Sequence, residues 1–393
     1  MINKNKDRGI TLVALVITII ILLILATISI QSLTNTGLFQ KAQEAKEKTQ
    51  NAEENQAKTL NEYEDELNKY VSGNIEEKKD PIKEVSNKVL STTDNTELQD
   101  AYGNKIVVPA GFKIVSNDDT SNATTVDKGI VIEDATSAAT AGSQFVWIPV
   151  GKIYTDVAKT EANAKTIELG RYEFDSNSNK SAYSGSYVEE DKGDTNTTLK
   201  NYGNTIAKNI TNFKNSVASN GGYYIGRYEA RTTNKRTAEG NALTQITEKG
   251  TDQIYNYVKQ PQAAKLSQEM YNSNKFTSDL MNSYAWDTAT LFLQTCGEEK
   301  YSRKTSVNNS LASKGTNSSD YTGTRDTVCN VYDMASNVTE CTTETSDSSN
   351  SPCVERGGFC YSGEYTSKRN NLNTSYNNVG LGFRPLLYVG LNS

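Results

Sequence analysis

The chain has no histidine among its 393 residues. That absence removes Ser-His-Asp and Cys-His nucleophilic systems together, because each relies on an imidazole to take the proton of the nucleophile. There is no Cys-x-x-Cys pair among Cys296, Cys329, Cys341, Cys353 and Cys360, so zinc is not expected. No phosphate loop or paired-glycine fingerprint occurs, so no nucleotide is expected. The chain also lacks a basic block after its first residues, and 47 acidic against 41 basic residues leave a net charge of −6. A surface that tracks phosphates needs the opposite balance, so nucleic acid is not an expected partner. Asp and Glu are abundant enough for chance carboxylate pairs, but nothing marks one pair as a hydrolytic site, and an enzyme is not expected.

Charge is missing altogether between Arg8 and Lys41, and Ile10 to Ile30 is almost wholly Ile, Leu, Val, Ala and Thr. As a helix rising ~1.5 Å per residue this stretch is about 31 Å long, the hydrocarbon thickness of a bilayer. A secretory signal competes with this reading, since Lys4, Lys6 and Arg8 precede the apolar run. The run exceeds the roughly 7–15 residues of a signal core and ends in no A-x-A site, which favours a single-pass anchor. The basic cluster in front of it places the N-terminus in the cytoplasm and the bulk of the chain outside.

The junction Lys6-Asp7-Arg8-Gly9-Ile10-Thr11-Leu12-Val13 resembles the leader of type IV prepilins. The resemblance implies cleavage after Gly9, with Ile10 as the methylated mature N-terminus and a helix able to pack with other pilin-like subunits. Pilins usually carry Glu at the fifth mature position, where this chain has Ala14.

Gln40 to Tyr70 alternates Lys, Glu, Gln and Ala without Gly or Pro, which predicts a solvated helix extending the anchor. Leu60, Tyr63, Leu67 and Tyr70 form a narrow seam interrupted at Lys46 and Glu53, a pattern of weak self-association. The expected organisation is a leader over 1–9, a transmembrane helix over 10–30, a helical stalk over 31–72, a linker over 73–100 with a short helix at Ile82, Val85, Val89 and Leu90, and a domain over 101–393. In that domain Lys105–Pro109, Phe112–Val115, Gly129–Ile132 and Gln144–Val150 read as strands. Gly170-Arg171-Tyr172-Glu173 and Gly226-Arg227-Tyr228-Glu229 read as two more strands flanking a polar insertion. Leu280, Tyr284, Thr288, Leu291, Phe292 and Thr295 share one helical face, with Trp286 and Asp287 off the stripe. Trp286 is then either a stacking platform or a ring closing a seam against a neighbouring strand. The expected fold class is α+β.

Asn330 to Glu340, then Arg356-Gly357-Gly358, then Gly382-Phe383-Arg384 resemble the ordered signatures of the formylglycine-generating enzyme (sulfatase-modifying factor) family. Phe145 to Val150, Tyr224 to Glu229 and the helix around Tyr284 to Leu293 extend the likeness over residues 101 to 391. It implies a C-type-lectin-like fold. The family's oxidases place two cysteines a few residues beyond Arg-Gly-Gly and bind copper through them. Here Cys360 lies two residues after Gly358 and no cysteine follows it, so copper and residual oxidase activity are not expected. The related sulfoxide synthases hold iron with histidines, which this chain lacks. The resemblance further implies a structural Ca²⁺ held by side chains of Asp333 and Glu340 and carbonyls of Ser336 and Val338, the hard oxygen donors this ion takes. In an extracellular setting the cysteines permit disulfides, with Cys329–Cys341 and Cys353–Cys360 as the local pairings and one cysteine left over; connectivity stays open.

Between the last two signatures lie Tyr361, Glu364, Tyr365, Lys368, Arg369, Asn370, Asn371, Asn373, Tyr376, Asn377 and Asn378. Tyrosine supplies rigid contact area and amides supply adaptable hydrogen bonds, the chemistry of a recognition surface. The position and composition resemble the variable region of lectin-fold proteins diversified by retroelements; an ordinary polar loop is the alternative. The expected protein is a bacterial cell-membrane, surface-exposed binder of an external protein or glycan. A minor pilin or pseudopilin is the alternative class, and a residual formylglycine-generating-type oxidase the second.

Overall fold

The computed structural model describes residues 12–35, 38–71, 80–116, 123–189, 207–240, 242–305 and 326–390. The chain divides into two units, Met1–Lys78 and Lys79–Ser393. Gly9 and Ile10, the residues of the expected processing site, lie outside the described residues.

The first unit contains two helices, α1 (Leu12–Asn35) and α2 (Leu38–Val71). In α1 the successive residues Leu22, Leu23, Ile24 and Leu25 are 60%, 64%, 51% and 54% exposed, so the helix is apolar around a full turn rather than on one stripe. The side chains described in α1 span residues 15–31, about 25 Å of helix. Among the described residues no helix is long and apolar enough to cross a membrane. In α2 Leu60 and Tyr63 are exposed, and so are Lys46 and Glu53, while the side chains of Leu67 and Tyr70 lie outside the described residues.

The second unit is built on a six-stranded sheet with the order β5 (Phe276–Leu280), β10 (Pro385–Val389), β4 (Gly222–Gly226), β3 (Gln144–Pro149), β2 (Val131–Asp134) and β1 (Phe112–Val115). Residues alternate faces along a strand, and here both faces are buried. Val146 and Ile148 of β3 join one apolar cluster with Tyr223 and Ile225 of β4, whereas Phe145 and Trp147 join another with Tyr224. In register Trp147 opposes Tyr224, and their rings meet edge to face at 4.9 Å.

Helices α4 (Ile210–Asn220) and α6 (Ser283–Phe292) pack into the first cluster through Phe213, Val217, Ala285, Trp286 and Ala289. Helix α5 (Gln260–Met270) packs into the second through Ala263, Ala264 and Met270. Helices α4 and α6 each start on a side-chain cap: Asn209 accepts from the Asn212 N–H, and Asn282 from the Ala285 N–H. These caps satisfy backbone donors that a helix start leaves unpaired.

The short helix α3 covers Pro81–Val85 only, started by the Asp80 cap, so Val89 and Leu90 lie outside it. Residues 96–99, assigned to the linker by composition, form a strand paired with Lys105–Val108 and belong to the second unit. The first Gly-Arg-Tyr-Glu copy enters a strand at Tyr172, but the second leaves β4 at Gly226, so Arg227 to Glu229 lie beyond it. Helix α6 begins at Ser283, because Leu280 belongs to β5, and Leu293–Gly297 form a wider π turn. It is buried on nearly every side, which explains why no single apolar stripe delimits it.

Candidate ligand-binding surface

A second, four-stranded sheet has the order β8 (Arg369–Leu372), β7 (Cys353–Arg356), β6 (Thr339–Thr345) and β9 (Leu381–Phe383). Strands β6 and β9 run parallel and the other pairs antiparallel. The segment singled out for recognition crosses this sheet as β8 and the loops on either side of it.

Strand β6 is buried at every position although it reads Thr-Glu-Cys-Thr-Thr-Glu-Thr. Buried polar groups persist only when they are hydrogen-bonded. Thr342 donates to the Val354 carbonyl at 2.9 Å, Thr339 to Glu355 at 2.7 Å and Thr343 to Glu189 at 2.5 Å. Glu344 meets three guanidiniums, those of Arg171, Arg356 and Arg369.

Two of those arginines share a second carboxylate. Asp287 of α6 receives Arg356 at 2.5 Å and also Arg369. Burial pushes the Glu344 carboxyl up, but Arg369, Arg356 and Arg171 together outweigh it and hold Glu344 below the usual range. Burial works against the Arg369 cation as well, and Asp287 and Glu344 more than reverse it, so its pKa is raised. The Tyr183 ring takes cation–π contacts from both Arg171, at 4.5 Å, and Arg369, at 4.1 Å.

This cluster fixes the backbone of the recognition segment. Arg356 donates to the Lys368 carbonyl at 2.9 Å, and the Trp286 indole donates to the Thr366 carbonyl at 2.9 Å. Ser367 donates through its N–H and its hydroxyl to the Ser302 carbonyl at 3.0 and 2.8 Å. Trp286 is therefore fully buried and closes the seam beneath the segment; it is not a stacking platform. The Arg-Gly-Gly turn is equally tight. A Cβ on Gly358 would sit 2.0 Å from the Ala335 carbonyl oxygen, so only glycine fits there.

Above this frame the side chains turn outward. Tyr361 is 50% and Tyr376 44% exposed, and Asn370, Asn371 and Asn373 are exposed. Phe359 supports the Tyr361 ring edge to face at 5.4 Å. Asn370 donates to Glu355 at 2.9 Å, and Asn373 to the Asn350 carbonyl at 2.8 Å. Tyr376 is pushed up mainly by partial burial and then by the Glu355 charge. Tyr365 stacks under Arg303 at 3.6 Å, and Lys368 pairs with Glu364. Asn377 donates to the Ser375 carbonyl at 3.1 Å, and Asn378 accepts from the Gly380 N–H at 2.8 Å.

Arg369 departs from the expectation that all these residues face a ligand. Its side chain is 8% exposed and turned inward, because two buried carboxylates attract it more strongly than water does. It positions the surface. Sequence reading missed its partner Glu344, which lies in no signature; Asp287 carried a signal as a charge beside a tryptophan on a buried helix.

Of the residues expected to bind Ca²⁺, Glu340 is engaged by another cation. Both oxygens of Glu340 are taken by Arg384, at 2.7 and 3.2 Å, and Arg384 also donates to the Gly226 and Tyr332 carbonyls at 2.8 Å each. Asp333 accepts from the Ser336 hydroxyl at 3.1 Å, and Val338 packs as a buried side chain. Among the described residues no group of three or more Cys, Asp or Glu is arranged to hold a metal ion. All five cysteines are free thiols. Cys360 is buried and its thiol is pushed up to about 12 by that burial. The expected local pairings are not formed.

No family model matches the sequence, and no curated protein matches it. Among solved structures the chain is similar to Treponema denticola variable protein 1, with 12% identity and a TM-score of 0.32 over 64% of this chain and 98% of that one. A likeness at that level carries no weight for fold or function.

Proposed function

We propose that the protein is a cell-surface binder whose C-terminal segment recognises an external protein or glycan. The observation that carries this reading is the split within residues 361–378: the backbone is tied to buried groups, while Tyr361, Tyr376, Asn370 and Asn371 are presented to solvent. A pre-ordered surface loses little conformational entropy on binding, and exposed tyrosines with amides offer both stacking area and hydrogen bonds. The chemistry proposed is recognition, without turnover. A C-type-lectin-like arrangement, a retroelement-diversified segment and tethering of the chain through α1 and its apolar side chains complete the reading. An N-terminus of prepilin type would deliver such a protein to the bacterial membrane with its larger unit outside.

The test is binding of labelled full-length chain, kept in mild detergent, to an array of immobilised glycans and purified extracellular proteins. Retention on a subset, lost at least tenfold in the Tyr361→Ala/Tyr376→Ala variant, supports the proposal. No retention on any member, or retention unchanged in that variant, overturns it.

A further inference from the structure

The five thiols fall into two environments. Cys341, Cys353 and Cys360 are wholly buried, whereas Cys296 and Cys329 are half-buried and line one open cavity of about 310 Å³ with Ala123, Lys128, Thr327 and Asn330. A Cβ built on Gly297, the neighbour of Cys296, would lie 3.0 Å from the Cys329 sulfur. The two thiols therefore line the same cavity, with the residue after Cys296 packed against the Cys329 sulfur, although they lie more than thirty residues apart in sequence.

Cys329 is also held in a conformation that its side chain disfavours. The hairpin Thr327–Val328/Val331–Tyr332 turns through Cys329 and Asn330 alone, with φ of +44° and +63°. Two positive φ values define a type I′ turn, whose first position favours asparagine, aspartate or glycine. The surroundings enforce it: a Cβ on Gly129 would fall 1.9 Å from the Cys329 carbonyl oxygen, and the Asn330 amide donates to the Gly129 carbonyl at 2.8 Å. The positive φ of Cys329 is thus retained at an energetic cost that its surroundings sustain.

We propose that Cys296 and Cys329 form an accessible dithiol site that closes to a disulfide by exchange with a small disulfide such as oxidised glutathione. One cysteine thiolate attacks a sulfur of the reagent, breaking its S–S bond and releasing one glutathione, which takes up a proton. The second cysteine attacks the protein sulfur of the mixed disulfide and expels the second glutathione with the other proton. The two cysteines lose two electrons and the reagent gains them, so the products are one protein disulfide and two glutathione thiols. Burial pushes both thiols up to about 12, and the Asp127 charge at both and the neighbouring thiol at Cys329 add to it, while the ammonium of Lys128, itself ion-paired to Asp127 at 3.3 Å, and that of Lys165 at Cys296 pull the other way. The thiolate is the attacking form, so the exchange speeds up about tenfold per pH unit below that value.

Full-length protein is incubated with oxidised glutathione at pH 8.5, quenched with N-ethylmaleimide, digested with trypsin and analysed by fragmentation mass spectrometry. The expected product links the peptide holding Cys296 to the one holding Cys329, with fragment ions assigning the bond to those two sulfurs. Cys296→Ser abolishes the link, and Lys128→Ala slows its appearance in a protein whose circular dichroism is unchanged. Persistence of maleimide on both cysteines in the native protein, when the urea-unfolded chain oxidises, overturns the proposal. So does a bond from Cys329 to Cys341 or Cys353, or glutathione left unresolved on either residue.

Discussion

The guanidinium of Arg369, the first residue of β8, is ion-paired to the Asp287 carboxylate on buried helix α6. The edge strand that carries the exposed asparagines is thereby joined to the core of the six-stranded sheet.

Removing that link leaves Asp287 and Glu344 short of a positive partner inside the protein. Arg369→Ala is expected to cost about 3–5 kcal/mol of stability, the range for breaking a buried ion pair from one side. Arg369→Lys recovers only part of it, because one ammonium cannot serve two carboxylates with a planar fork. Urea denaturation of the three proteins checks the order.

Gly358 offers a steric test of the same frame. With a Cβ 2.0 Å from the Ala335 carbonyl oxygen, Gly358→Ala must displace backbone. A loss of about 1–3 kcal/mol follows from comparable overpacking, and thermal unfolding followed by circular dichroism measures it.

Asp279 gives the fold a pH dependence of definite sign. Burial pushes its carboxyl up to about 6, although the Lys208 N–H, the Gln268 amide and the Leu280 N–H all donate to it. An acid whose folded pKa exceeds its unfolded value binds more protons in the native state, so this contribution is complete in acid and is lost as pH rises from about 4 to about 6. The loss amounts to up to about 3 kcal/mol. Asp279→Asn is expected to flatten the stability profile over that window, as read by urea midpoints at successive pH values.

The positive charge facing Glu340 is that of Arg384. A chelator is therefore expected to leave the melting temperature unchanged, and millimolar Ca²⁺ to raise it by less than about 1 °C. Arg384→Met is expected to cost about 3–5 kcal/mol. A clear Ca²⁺-dependent rise in melting temperature would restore the ion that the family resemblance implies.

How much of this was readable in advance depended on whether apolar periodicity carried the signal. Strands β1 and β3 were legible because Phe112–Val115 and Gln144–Pro149 are dense in large apolar residues. Strand β6 was illegible as a buried element, since Thr and Glu occupy every inward position but one and are satisfied by partners distant in sequence, such as Glu189 and Arg171. The outward tyrosines and asparagines were recognisable from composition. The inward turn of Arg369 was not, because it depends on Asp287 and Glu344, which the chain brings together only on folding. The Glu340–Arg384 pair joins two signatures that were each visible, yet the spacing could not say which cation the carboxylate meets.

The central claim is that one set of side chains in residues 361–378 recognises a ligand while another set builds the surface. Its most direct test is an alanine scan of that segment in the full-length chain, measuring melting temperature and array binding on the same samples. Substituting Tyr361, Tyr376, Asn370 or Asn371 is predicted to weaken binding while changing stability by less than about 0.5 kcal/mol, whereas substituting Arg369 lowers stability. Binding that survives all four outward substitutions, or that falls only in step with melting temperature, would contradict the account.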